Sequence, residues 1–307
     1  MGGLFYTKST MISMLKSLCD AHSDKASYVS IGKSFEGRDI MLFRIGNPNG
    51  GKVSLDGAIH GWEDIGSVLL WHYANWLLTS GDAEAQRILT RNYTLLIPYI
   101  NMDSTERENR DFVQCQYGVD LNRNFMQGWT QTPCGAYPNN YHGKSPASEP
   151  ETQVMRNFFS TYKPKFHLNM HYGGGPYLAY DNLNDMTVVN SVINSIRQWT
   201  TQKGVSPFAW NIQGMSEGNG MEVGDVRVAG ASSWLIEIAN ETLPYTSNPS
   251  GSCYSHTSQT LADVQNWYFP HILPLFIAFS EACGVEVRPS AFPILLLLAL
   301  FFLTRRR

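Results

Sequence analysis

The sequence predicts an α/β protein whose central sheet is covered by helices on both faces. Two observations carry this reading. Apolar strand-like runs alternate with helical patterns along most of the chain. The 307 residues are 43% hydrophobic, which suits one large domain or at most two, and no repeat or low-complexity block interrupts them.

Residues Lys8 to His22 place Met11, Met14, Leu15 and Leu18 on one side of a helix. Ser27–Gly32 and Ile40–Gly46 read as strands joined by a turn around Glu36–Gly37, and the Asn-Pro-Asn-Gly-Gly run at 47–51 is a second turn. Lys52–Ile59 is a strand, followed by a helix from Asp64 to Leu78, and Tyr93–Ile100 is a further strand. From Asn101 to Ser148 the chain is polar and rich in Gly, Asn and Pro. A loop of that length inside a domain is functional or tied down. Ser148 is placed to cap a helix ending at Tyr162, with Glu151 completing a capping box. A short strand at Phe166–Met170, a helix at Asn184–Lys203, a strand at Ser233–Ile238 and a helix at Ser258–Phe279 finish the pattern.

Composition narrows the function. Charged residues are 16% and the formal net charge is -3, so there is no basic field for nucleic acid, and no Gly-rich phosphate loop is visible. The opening MGGLFYTKST shows neither the charged nor the apolar region of a secretory signal. The five cysteines, Cys19, Cys115, Cys134, Cys253 and Cys283, form no C-x-x-C pair, which argues against a zinc ribbon.

His60-Gly61-Trp62-Glu63 falls where a strand gives way to a helix, the edge at which open α/β sheets collect ligands. A His and a Glu three residues apart across such a turn can meet on one ion. Zinc needs a third protein ligand and an open position for water. His171 follows the strand at Phe166–Met170 and fits that need. His72 reads as structural, and His167, on the same strand face as His171, is a weaker ligand candidate. H-x-x-E alone is short enough to occur by chance. The long loop adds Arg110 and then Gly-Val-Asp-Leu-Asn-Arg-Asn-Phe at 118–125, where Arg123 between Asn122 and Asn124 suits bidentate capture of a carboxylate. Arg110 is placed to steady an oxyanion.

The segments GAIHGWE, LLIPYINMD, GVDLNRNF, YHGKSPASEPET and NMHYGG, with the earlier IGKSFEGRDI, resemble the zinc carboxypeptidases of the pancreatic carboxypeptidase A and B type. The resemblance runs in order from Tyr6 to Gly284. It implies a carboxypeptidase-like fold with a mixed, mostly parallel sheet, one Zn2+ per chain, and hydrolysis of the C-terminal peptide bond of peptides or proteins. Residue by residue, His60, Glu63 and His171 match the metal ligands. Asn122 and Arg123 match the pair that holds the substrate's terminal carboxylate. Arg110 matches the arginine that polarises the scissile carbonyl, and Glu237 matches the general base. An acid at the end of an apolar strand is otherwise hard to explain, because burying it unpaired costs several kcal/mol. The resemblance also implies a disulfide between Cys115 and Cys134; Cys253 and Cys283 are the next pair that could bridge.

The sequence departs from the family in places. Trp62 stands where an arginine is common, and Gly173–Gly175 replace bulkier residues. No tyrosine occurs in Trp210–Gly230, where the family keeps a mobile one; Met215 and Trp210 lie nearest. Glu222 or Asp225 faces a basic terminal residue or is a surface-loop acid. Two other functions stay open: a peptidoglycan stem-peptide hydrolase of the same family, and a non-catalytic peptide-binding homologue.

The expected organisation is a catalytic domain at 1–284, acting as a monomer, and a C-terminal appendage at 285–307. There Ala291–Leu303 is apolar apart from Pro293, and Arg305–Arg307 close the chain. As a helix that run reaches about 20 Å at ~1.5 Å per residue, short of the ~30 Å hydrocarbon core. Spacer, apolar run and arginines resemble a surface-sorting signal, with membrane attachment through residues 291–304 and the domain outside the cytoplasm. A tail-anchored cytoplasmic enzyme is the alternative.

Overall fold

The computed structural model describes residues 7–61, 63, 65–103, 118–133, 141–172, 177–181, 183–203, 211–215, 220–238 and 269–284. Its strands are β1 (Ala26–Lys33), β2 (Asp39–Gly46), β3 (Gly51–Gly57), β4 (Asn92–Ile97), β5 (Phe166–His171), β6 (Tyr177–Asp181), β7 (Asn211–Met215) and β8 (Ser232–Glu237). They form one sheet in the order β1-β2-β4-β3-β5-β8-β6-β7. The four central strands, β4, β3, β5 and β8, run parallel. The hairpin β1–β2 joins β4 antiparallel, and β6 lies antiparallel to β8 but parallel to β7. The sheet is therefore mixed and mostly parallel, as the sequence predicts.

Side-chain alternation divides the sheet into two unlike faces. Val53 and Leu55, Phe166, Leu168 and Met170, and Trp234 and Ile236 point into the larger core. That core is closed by α1 (Lys8–Ala21), α2 (Ile65–Thr79), α3 (Ala83–Arg91), α5 (Met186–Lys203) and α7 (Phe269–Gly284). The other face carries a smaller core in which Met155, Phe158 and Phe159 of α4 (Pro150–Tyr162) and Val226 of α6 (Glu222–Val228) pack on Ile40, Leu42, Leu95 and Ile97. On this second face the central strands turn polar: Ser54, Asp56, His167, Asn169, His171 and Ser233 are all buried there. Asp103, just after β4, ties the hairpin down by accepting from Ser34 Oγ at 2.6 Å, Glu36 N at 2.8 Å and Arg38 Nη1 at 2.7 Å.

Several expectations need correction. The helix of Ser148 begins at Pro150 with Glu149 as its N-cap, and no capping box forms. Ser148 Oγ instead takes a bond from Asn124 Nδ2 and donates to Glu149, while Glu151 accepts from Phe35 N at 3.0 Å. The loop already needed both side chains. Proline at the first helical position pre-sets the backbone without a side-chain cap. The last helix runs to Gly284, with Pro274 inside it, and not to Phe279. Cys283 is a free, buried thiol whose Sγ donates to Lys52 O at 3.1 Å, so it forms no bridge with Cys253. Cys19 is likewise free and buried. His72 is buried in α2 with its ring 5.7 Å from that of Phe269, a packing position. Among the described residues no helix is long and apolar enough to cross a membrane. The apolar run at 291–303, Cys115, Cys134 and Cys253 lie outside the described residues.

Helix α2 approaches the sheet on glycine. A Cβ on Gly66 would sit 2.8 Å from Met170 Cβ, and one on Gly57 would sit 3.1 Å from Ser67 N. Gly66→Ala is expected to destabilise the protein by about 1–3 kcal/mol, the usual cost of overpacking. Denaturant titration of both proteins checks this.

Candidate metal centre

The site grows from the carboxyl ends of β3, β5 and β8, three neighbours in the parallel centre of the sheet. After β3 the chain turns through Ala58, whose φ of 51° lies in the left-handed region. A side chain is strained there. The turn is held because Ile100 N and Asn101 N donate to Gly57 O and Ala58 O. It buries Ile59 in the smaller core and delivers His60 to the sheet edge. Glu63 N then donates to His60 O at 2.9 Å, closing a tight turn that aims both side chains the same way.

His60 Nδ1 lies 2.9 Å from Glu63 Oε1, and His171 Nδ1, at the end of β5, lies 2.9 Å from Glu63 Oε2. Tyr172 N also donates to Glu63 Oε2 at 3.1 Å. The two imidazole centroids are 4.9 Å apart. One donor atom from each of His60, Glu63 and His171 falls within 4.8 Å of the others. Glu63 and His171 are buried, whereas the His60 side chain keeps 15% of its surface open to the cleft.

Charge is organised around this cluster. Burial alone would raise the Glu63 carboxyl, but His60 and His171 bring it down to about 2. Burial likewise opposes the charged form of His60, and Glu63 and Asp120 overcome it to hold the imidazole well above its ordinary range. Asp120 Oδ1 sits 3.1 Å from His60 Nε2 and accepts Asn122 N at 2.9 Å. A carboxylate on the far nitrogen of a ligating histidine fixes its ring and raises its basicity. The donor set of two Nδ1 atoms and a carboxylate, with one side open, fits catalytic zinc. Asp120 was visible in the loop motif but received no role from sequence reasoning.

Asn122 and Arg123 stand on a short 3-10 turn, Leu121–Arg123. Asn122 Nδ2 is 3.3 Å from His171 Nε2 and its Oδ1 accepts Glu222 N at 3.0 Å. Arg123 is half-buried and donates from Nη1 to Asn122 O at 2.8 Å. Gly220, at φ +74°, exchanges backbone bonds with Phe125 and Gln127. A Cβ there would lie 2.4 Å from Arg123 O, so this contact requires glycine.

Glu237 ends β8 directly opposite His171 on one side and Tyr177 of β6 on the other. Burial, and then the carboxylates of Glu237 and Glu63, push the Tyr177 phenol above its ordinary value. Tyr177 thus belongs to the site edge, and nothing in the sequence marked it. Met215 ends β7 opposite Asp181, at the other end of the β6–β7 pairing from Tyr177. Glu222 and Asp225 are not surface-loop acids: both are buried on α6. Asp225 accepts from Gln127 N at 2.9 Å and Arg156 Nε at 2.6 Å. Arg110, Trp62, Gly173–Gly175 and Trp210 lie outside the described residues.

The sequence model for zinc carboxypeptidases matches residues 11–261. The chain belongs to the zinc carboxypeptidase family. It is 28% identical over 179 residues to Carboxypeptidase A6 of Homo sapiens, a stretch covering 52% of this chain and 40% of that protein. Zinc carboxypeptidase A 1 of Anopheles gambiae is 25% identical over 195 residues, covering 59% and 43%. The chain thus spans less than half the length of these relatives. In fold it is similar to Carboxypeptidase A from Helicoverpa armigera, with a TM-score of 0.71 at 18% identity, over 92% of this chain and 74% of that one. It is also similar to murein-tripeptide amidase MpaA from Escherichia coli O157, with a TM-score of 0.51 at 17% identity, over 85% and 92%.

Asp120→Ala is expected to leave the fold intact and weaken zinc affinity 10–100-fold, the usual loss when the partner behind a ligand is removed. Competition with a chromogenic chelator measures it.

Proposed function

We propose that this chain is a zinc-dependent metallocarboxypeptidase that removes the C-terminal residue of peptides or proteins. The carrying observation is the convergence of His60, Glu63 and His171 at one sheet edge, with Glu237 beside His171 in register. Membership of the zinc carboxypeptidase family supports zinc as the ion. His60, Glu63 and His171 would hold the zinc, which would supply a Lewis acid for the scissile carbonyl and would lower the pKa of water towards ~7.

The chain's own residues do the rest. Arg123 takes the substrate's terminal carboxylate in its guanidinium fork, and Asn122, held by the Glu222 main chain, sets the position of that loop beside His171. Glu237 accepts the proton of the attacking water and returns it to the leaving amine. Arg110, by resemblance, steadies the carbonyl oxygen as it gains charge. Asp120 keeps the His60 ring oriented throughout.

Glu237→Gln is expected to retain zinc and lose activity roughly 10²–10⁴-fold, the ordinary contribution of acid–base catalysis. Metal analysis with kinetics on a blocked dipeptide tests it, and near-normal turnover would remove Glu237 from the mechanism.

Amidating the substrate's C-terminus should slow the wild type strongly and Arg123→Ala little further, since a charge-assisted bond contributes about 1.5–3 kcal/mol. Equal sensitivity in both proteins would defeat that role. A peptide library read by mass spectrometry, run beside murein stem peptides, distinguishes a peptide carboxypeptidase from a wall-peptide hydrolase.

A further inference from the structure

We propose that Asp56, His167 and Glu222 form a second metal site, buried beneath the first, for a divalent first-row transition ion. The three side chains come from β3, β5 and the first residue of α6, and all three are fully buried. His167 Nε2 lies 3.1 Å from Asp56 Oδ2 and 3.9 Å from Glu222 Oε1. One ligand atom from each residue lies within 4.8 Å of the others. Ligands at roughly 2.0–2.2 Å from a zinc ion stand somewhat closer than that, so small side-chain adjustments close the site.

Those same atoms, Asp56 Oδ2, His167 Nε2 and Glu222 Oε1, face one another and make no well-aligned hydrogen bond to any other group among the described residues. The outer atoms of each residue, by contrast, are held. Asn169 Nδ2 donates to Asp56 Oδ1 at 2.8 Å and to Glu222 Oε2. Ser54 Oγ sits 2.7 Å from His167 Nδ1 and donates to Phe166 O at 3.4 Å. When the Ser54 proton goes to Phe166 O, the hydroxyl accepts His167 Nδ1–H and leaves Nε2 as a lone pair; the other tautomer turns Nε2–H to Asp56 Oδ2, and a bound ion selects the first. The first is the tautomer, with the outer partner, of a ligating histidine. Each side chain is therefore gripped from behind and turns one lone pair to a common point.

Electrostatics requires something at that point. Among the described residues no Lys or Arg pairs with Asp56 or Glu222, and His167 is the one ion-pair neighbour they have there. Two buried carboxylates without a counter-charge are very costly. A divalent cation matches their joint formal charge, and two carboxylates with an imidazole suit zinc, manganese or iron. The competing state is a proton. Burial and the neighbouring Asp56 push the Glu222 carboxyl well above its ordinary range, so a shared carboxyl proton is what the ion would displace. Complete burial argues against a substrate side chain as the occupant. The site is wired to the catalytic edge through Glu222 N, Asn122 and His171 Nε2, so an ion there would stiffen the loop that carries Arg123.

The test is metal stoichiometry on the full chain, stripped of metal and titrated with Zn2+, with bound zinc measured after gel filtration. Two zinc ions per chain are expected for the wild type, one for His167→Gln and one for His60→Gln. One ion in the wild type that His60→Gln removes, or an unchanged count in His167→Gln, overturns the proposal. If His167→Gln fails to fold, anomalous scattering from zinc-loaded wild-type crystals decides: a peak at His167 Nε2 supports the site, and a peak only at His60 and His171 refutes it. Unchanged stoichiometry in His60→Gln would refute the catalytic centre instead, so the two failures are distinguishable. A wild type holding one ion, with Glu222→Gln as stable as the wild type, would identify the shared proton.

Discussion

Parallel pairing of β5 with β3 on one side and β8 on the other is the constraint on which the site depends. It brings the ends of three strands to one edge in fixed register, with His171 directly opposite Glu237 and Met170 opposite Gly57. His60 and Glu63 then need only a short turn beyond β3 to reach His171. A slip of one residue in either pairing would send His171 into the larger core and bring Met170 to the site. The ladder of hydrogen bonds thus sets the positions of His60, Glu63 and His171 relative to one another.

The same alternation explains why the sheet is apolar on one side and polar on the other. Fully buried Asp56, His167 and Asn169 cost desolvation free energy that the aliphatic residues on the opposite face do not. A protein that buries so many polar groups under α4 and α6 gives up stability there and gains fixed orientation at the sheet edge. Glu63 is the clearest case, because its carboxylate is placed by two imidazoles and a backbone N–H together. The loop of Arg123 is seated in the same way, by main-chain bonds to Gly220 and a side-chain bond to the start of α6.

Much of this was legible in the residues. β3 and β5 announced themselves as strand-like runs followed by His60 and His171, β8 as an apolar run that carries Glu237, and the loop motif marked Asn122 and Arg123. Other elements were not legible, for physical reasons. α3 buries only Ala85, Ile88 and Leu89, too few apolar positions to mark a helix between Leu78 and Tyr93. α6 opens with Glu222 and holds Asp225, acids that look like surface until the network around Asn169 and Arg156 is seen. The capping box at Ser148 failed because tertiary partners claimed both side chains. Local sequence could not reveal that competition, since Asn124 and Phe35 are distant in the chain. Tyr177 was missed because its place beside Glu237 comes from an antiparallel pairing with β8 that no motif encodes.

Cys19 and Cys283, the two free thiols among the described residues, can report local opening. Burial raises Cys283 to about 12 and Cys19, helped by Asp20, to about 11, so neither presents appreciable thiolate near neutrality. Cys283 lies at the C-terminal end of α7 beneath β3, and Cys19 lies in α1 on the flank of the larger core. An alkylating reagent can reach either one only when its helix lifts from the sheet. Their separate labelling rates, read residue by residue, would then time the detachment of two helices that cover the same core but lie far apart in sequence.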